Sequence, residues 1–191
     1  MRALPLVTLL FGLLLPVDAG AEHPAGPPEI GGPVPDFEAT SLEGQAVSLG
    51  AALDGHKAVV VIFLSTVCPY VNHFAGHLQQ LDEVYRPRGV LLIGVNSNNW
   101  ESRTEVAEHA RERGFAFPIV KDERHEIANL LGAARTPEAF LIDSAGRLRY
   151  RGWVKSKQES PDLQRALDAV LQGGRVARPV TRSFGCAIDR F

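Results

Sequence analysis

The stretch "AVVVIFLSTVCPY", residues 58–70, changes character halfway along. Ala58 to Leu64 form an apolar run rich in β-branched residues, the pattern of a strand buried on both faces. After Ser65-Thr66-Val67 comes Cys68, the first of only two cysteines in the chain, and then Pro69. Proline suits the first position of a helix, which makes Cys68 the expected N-cap. Val71, Phe74, Leu78, Leu81 and Tyr85 then recur at three- and four-residue steps, predicting a helix over 69–85 with these residues on its core face. The free N–H groups of a helix start and the helix dipole favour thiolate over thiol, so the junction is built for chemistry. The alternative is an inert buried cysteine.

Working outward, "VLLIGVN" at 90–96 reads as a second buried strand, completing a βαβ unit. Residues 102–113 read as an exposed amphipathic helix, "FAFPIV" (115–120) as a third strand and 124–131 as a short helix. "AFLID" and "LRYRGWV" form a hairpin about Ser144-Ala145-Gly146. A last helix has Ser160 as N-cap, Pro161 at its first position and Gly173 at its end. "DFEATSLEGQAVSL" is expected as two short extended segments about Glu43-Gly44. The expected fold is α/β with a mixed sheet, its functional groups at the carboxyl edge. That edge carries residues 65–68 and the polar cluster Asn96, Ser97, Asn98 and Trp100, of which Asn96 is expected to border a substrate groove.

The chain has 191 residues and a formal net charge of −2, which argues for one domain and against nucleic acid as a partner. "MRALPLVTLLFGLLLPVDAGA", residues 1–21, has a basic start, a short apolar core and a small-residue cleavage site, as in a secretory signal. The apolar core is too short for a comfortable membrane span, so no membrane anchor is expected after cleavage. Periplasm or cell exterior is the expected location. Residues 22–35 are a Pro/Gly-rich leader, 36–172 the folded domain, and 173–191 a tail whose arginines are expected in solvent.

A dithiol one turn apart is excluded, because Val71 stands where C-x-x-C needs its second cysteine. The remaining thiol is Cys186, in "RSFGCAIDRF". It has three readings: a resolving cysteine, half of a permanent disulfide, or a free or metal-binding thiol. Sequence distance is no obstacle, since loop-closure entropy grows slowly with length.

"PDFEATSLEGQAVSL", "FLSTVCPYVNHF" and "RTPEAFLIDSAGRLRYRG" together resemble the thioredoxin-fold redoxins, most closely the peroxiredoxin-like branch related to alkyl hydroperoxide reductase and thiol-specific antioxidant proteins. The tail "SFGCAI" resembles a Gly-Cys ending in that branch. The resemblance implies a thioredoxin-like fold with an N-terminal β extension and a thiol-dependent oxidoreductase without a cofactor. It implies a peroxide or disulfide substrate and a thiol reductant protein as partner. It makes Thr136-Pro137 the cis-proline that borders the site and helps hold an extended peptide. Ser65 fills the hydroxyl position three residues before the peroxidatic cysteine, but Val61 replaces the proline seven before it. Pro137 also stands where peroxiredoxins place an arginine, and Arg135 is the nearest substitute. The candidate residues are therefore Cys68, Cys186, Ser65 and Pro137 for catalysis, with Thr136, Arg135 and Asn96 toward substrate. The alternative class is copper delivery through Cys68 and Cys186. Copper chaperones of this fold carry C-x-x-x-C and a distant histidine, and here Asn72 occupies the second cysteine position. His73, His77 and His125 read as polar positions and no metal site is assigned to them.

Overall fold

The computed structural model describes residues 26–155 and 161–190. The expected signal segment, residues 1–21, lies outside them. The elements are β1 (Glu38–Thr40), β2 (Ala46–Ser48), α1 (Leu49–Gly55), β3 (Ala58–Phe63), α2 (Pro69–Tyr85), β4 (Val90–Asn96), α3 (Arg103–Glu112), β5 (Ile119–Lys121), α4 (Glu126–Leu131), β6 (Arg135–Thr136), β7 (Glu138–Asp143), β8 (Leu148–Gly152), α5 (Asp162–Leu171) and β9 (Cys186–Ala187).

β3 is the spine of a five-stranded sheet of order β5-β4-β3-β7-β8, parallel to β4 and antiparallel to β7. All six of its residues are buried. Their side chains alternate between faces: Ala58, Val60 and Ile62 join α2, α3 and α5, while Val59, Val61 and Phe63 join α1 and α4. A strand can be apolar at every position only when helices cover both faces, and this three-layer arrangement supplies them. The order is that of a thioredoxin-like fold, as the resemblance implies. Val61, which replaces the peroxiredoxin proline, pairs with Ile93 and Phe140 in mid-sheet, where it keeps the N–H a proline lacks.

Several local expectations are corrected. Strand β5 starts only at Ile119, because Pro118 has no N–H to continue the ladder; its carbonyl accepts from Gly94 instead. Pro161 is the N-cap of α5 and not its first residue, and Ser160 lies outside the described residues. Phe74 is half-buried in an aromatic group with Trp153, while Ala75 takes the buried place on α2. The leader is ordered from residue 26: Gly31 and Val34 donate backbone hydrogen bonds to Leu148 and Gly146 at the hairpin turn. Helix α1 was not legible in the sequence, although Ser48 caps it through Ala51 N–H.

The tail is not a solvated appendage. Val180 bridges Arg151, Thr181 Oγ1 meets Tyr150 Oη at 2.7 Å, and Ile188 is buried with its N–H on Ala134 O at 3.0 Å. Arg190 bonds the Asn129 side chain at 2.6 Å and Arg178 reaches Asp162 at 3.3 Å. Among the described residues, no helix is long and apolar enough to cross a membrane.

Candidate active site

Cys68 is the N-cap of α2, with Pro69 at the first helical position, at the carboxyl end of β3. It is fully buried. Two segments enclose its sulfur. One is β6 with the cis Thr136–Pro137 bond that follows. Thr136 O lies 3.0 Å from Cys68 Sγ and accepts from the thiol when it is protonated. The other is β9, antiparallel to β6, with Cys186 opposite Thr136 and Ala187 opposite Arg135. The pairing brings both the thiol and the backbone N–H of Cys186 within hydrogen-bonding reach of Cys68.

The two thiols are held in opposite states. Burial pushes the Cys68 thiol up, but hydrogen bonds from the Thr136 side chain, the Cys186 thiol, Val71 N–H and Cys186 N–H together bring it below its ordinary value. The buried Thr136 hydroxyl has no hydrogen-bond partner of its own among the described residues, which leaves it available to a Cys68 thiolate. No cation contributes. The donors are neutral dipoles, as expected at a helix start. Cys186 is pushed up to about 11, first by burial and then by its hydrogen bond to Cys68 and the charge there. Cys68 is therefore the more readily ionised thiol and Cys186 its neutral donor. Two of the three causes that hold Cys186 neutral disappear once Cys68 has reacted and lost its charge.

The other candidate residues each have partners of their own. Ser65 Oγ donates to Glu101 Oε1 at 2.6 Å, so its hydroxyl serves the loop ahead of the cysteine. Arg135 donates through Nη1 to Gly185 O at 3.0 Å and holds the tail. Asn96 is buried, its amide donating to Glu101 Oε2 at 2.7 Å and its oxygen accepting from Lys121 at 3.0 Å. Asn72 bridges Thr66 O and His109, an internal role in place of the copper ligand. His73 is exposed against Phe74, and His125 reaches Asp189 O at 3.2 Å. No group of three or more His, Cys, Asp or Glu able to hold a metal is found among the described residues.

Sequence reasoning missed Glu101. This buried carboxylate accepts from Ser65 Oγ, Thr66 N–H, Asn96 Nδ2 and Asn98 Nδ2, all between 2.6 and 2.7 Å. Burial alone raises its carboxyl, yet these bonds hold it below the ordinary range. Asn98 Oδ1 in turn accepts from Asp189 N–H at 2.8 Å. One carboxylate thus ties down the loop before Cys68 and, through Asn98, the strand end after Cys186. The available signal was an acidic residue closing a run of asparagines at the carboxyl edge of β4.

A thioredoxin-like fold with a thiol at the helix start after its central strand, and a second thiol against it, defines a thiol-dependent oxidoreductase. The chain belongs to the redoxin family, which matches residues 29–168. It is similar to thiol-disulfide oxidoreductase ResA of Geobacillus thermodenitrificans, 29% identical over 89% of this chain and 94% of that one. A solved hypothetical protein of Sinorhizobium meliloti is 30% identical at a TM-score of 0.79, covering 85% of this chain and 95% of that one. The peroxidoxin BcpB of Mycobacterium tuberculosis shares the fold, at 22% identity and a TM-score of 0.62 over 78% of this chain and 99% of that one.

Two outcomes follow. Titrated by thiolate absorbance, the reduced protein ionises in two steps, one below the ordinary thiol range and one near 11. Cys186→Ala removes the thiol donor but keeps the backbone N–H and so raises the first step, Cys68→Ala lowers the second, and a single step at the ordinary value would contradict the assignment. Glu101→Gln, which leaves buried donors unmet, lowers stability by about 2 kcal/mol at neutral pH. Because the folded carboxyl lies below its unfolded value, this contribution is complete above about pH 5 and is lost as pH falls through the lowered value. Urea midpoints of the two proteins therefore converge in acid.

Proposed function

We propose that this protein is an exported thiol–disulfide oxidoreductase in which Cys68 attacks and Cys186 resolves. The observation that carries the reading is the β6–β9 pairing, which sets the one other thiol of the chain against Cys68. The ResA relative, named for thiol–disulfide exchange, supports the choice of electrophile.

In the reaction, Cys68 thiolate attacks one sulfur of a substrate disulfide, and the other sulfur leaves and takes a proton. The mixed disulfide carries no charge at Cys68, so two of the three causes that held Cys186 neutral are gone; it loses its proton and attacks Cys68. The internal disulfide closes and the second substrate thiol departs. The substrate gains two electrons and the cysteine pair loses two, which a protein thiol reductant restores. Residues 36–172 form the catalytic unit and 173–191 the resolving tail. The N-terminal signal directs the protein to an oxidising compartment, where such a pair has substrates.

A peroxide is the second electrophile to consider, favoured by the neutral donors around Sγ. The Thr136 hydroxyl and the N–H groups of Val71 and Cys186 are placed to polarise a peroxide oxygen as well as a thiolate. Attack would give a sulfenate and release an alcohol or water, and Cys186 would condense with the sulfenate to release water. The absence of an arginine at the Pro137 position weighs against fast peroxide turnover.

The test is intact mass after treatment of reduced protein with oxidised glutathione or, separately, hydrogen peroxide. The wild type loses about two mass units with glutathione disulfide and keeps no adduct, whereas Cys186→Ala accumulates a glutathione adduct on Cys68. A wild type that retains the adduct would overturn the resolving role. Faster disulfide formation with peroxide than with glutathione disulfide would make peroxide the substrate class.

A further inference from the structure

β6 stands outside the five-stranded sheet, and its strand partner among the described residues is β9. An isolated two-residue strand offers its backbone to any extended segment that fits. The tail fits by three successive residues. Cys186 stands opposite Thr136 and delivers its thiol and N–H to Cys68. Gly185 has φ +139 and lies so close to β6 that a Cβ would overlap the Thr136 carbonyl oxygen, so both space and backbone conformation require glycine. Phe184 meets Trp153 edge-on at 5.2 Å between centroids, and Trp153 meets Tyr70 at 5.8 Å and Phe74 at 5.9 Å, forming an aromatic shelf beside the site. With the tail in place Cys68 is fully buried, and no sulfur of another protein can reach it.

We propose that β9 is a tethered stand-in for substrate. Its Phe184-Gly185-Cys186 sequence fills the place at which an extended, disulfide-bearing segment of a partner protein docks. The edge therefore selects aromatic–glycine–cysteine segments and admits them only when the tail lifts. This rests on the reading of Cys68 as nucleophile.

Tail and partner then alternate on one edge. When the tail lifts, the partner segment pairs with β6 and its cysteine sulfur is attacked by Cys68; the partner's second sulfur leaves as a thiol. The returning tail competes for the same backbone groups while Cys186 attacks Cys68, so a single movement closes the internal disulfide and expels the reduced partner. Arg135, which holds Gly185 O, and Ser183, which bonds Glu138 at 2.8 Å, fasten the segment that must open. Thr181 on one side and Ile188 on the other keep the tail tethered while it does so.

The test uses full-length Cys186→Ala with and without Gly185→Val. The probe is a synthetic peptide of residues 182–188 whose cysteine is a mixed disulfide with 5-thio-2-nitrobenzoate, so attack releases the chromophore. Dislodging a tethered competitor raises the rate with this peptide about tenfold or more. In each protein, peptides with valine for glycine or alanine for phenylalanine react about tenfold more slowly, a comparison independent of how well the variant folds. Equal rates in the two proteins, or equal rates for all peptides, would overturn the proposal. Oxidised glutathione separates the two readings: if it modifies Cys68 while peptide preference is absent, only this inference fails. If Cys68 stays unmodified by glutathione disulfide in both proteins, the nucleophile assignment falls and the inference with it.

Discussion

Two backbone pairings, Thr136 with Cys186 and Arg135 with Ala187, bring together thiols that lie 118 positions apart in sequence, 186 minus 68. Most of the active site depends on that short ladder. It buries Cys68, supplies two of the four hydrogen bonds that lower its thiol, and holds Cys186 in the neutral state. It is too small to stand by itself. Its stability comes from what fixes the tail on either side: the Thr181–Tyr150 hydroxyl pair, the Ile188 side chain in the core, and the link from Asp189 through Asn98 to Glu101.

Activation without a cation follows from this geometry. A thiolate beside an arginine is stabilised by charge, and removing the thiolate leaves that charge behind. Here the stabilising groups are a hydroxyl, two N–H groups and a thiol, whose own proton is the one next required in the cycle. In the proposed cycle the donor that stabilises the first nucleophile becomes the second nucleophile. This places acid–base control inside the pair of cysteines, with Glu101 acting only through the loops that carry them.

The central fold was legible because its signals are local and dense. The β-branched run ending at Leu64, Pro69 after Cys68, and the stripe from Val71 to Tyr85 each fix one element, and together they place Cys68 at a helix start. The hairpin at Ser144-Ala145-Gly146 was equally plain. The resolving geometry was not, since β6 and β9 are two residues each and a strand that short has no periodicity. Glu101 escaped because a carboxylate accepting four hydrogen bonds looks in sequence like any surface acid. Ser65 and Asn96 turn toward Glu101, because buried donors must find acceptors before they can serve a substrate, while the exposed Arg135 holds the tail.

The claim on which the account stands is that the fold itself holds Cys186 against Cys68. It is tested most directly by equilibrating the protein in glutathione redox buffers, with and without denaturing urea, and measuring the effective concentration of one cysteine for the other. In the unfolded chain a loop of this length gives about millimolar values or less, and the native pairing predicts a value at least about a hundredfold higher. By linkage, the same factor appears as stabilisation of the oxidised protein against unfolding. Equal effective concentrations in the native and unfolded states would contradict the account.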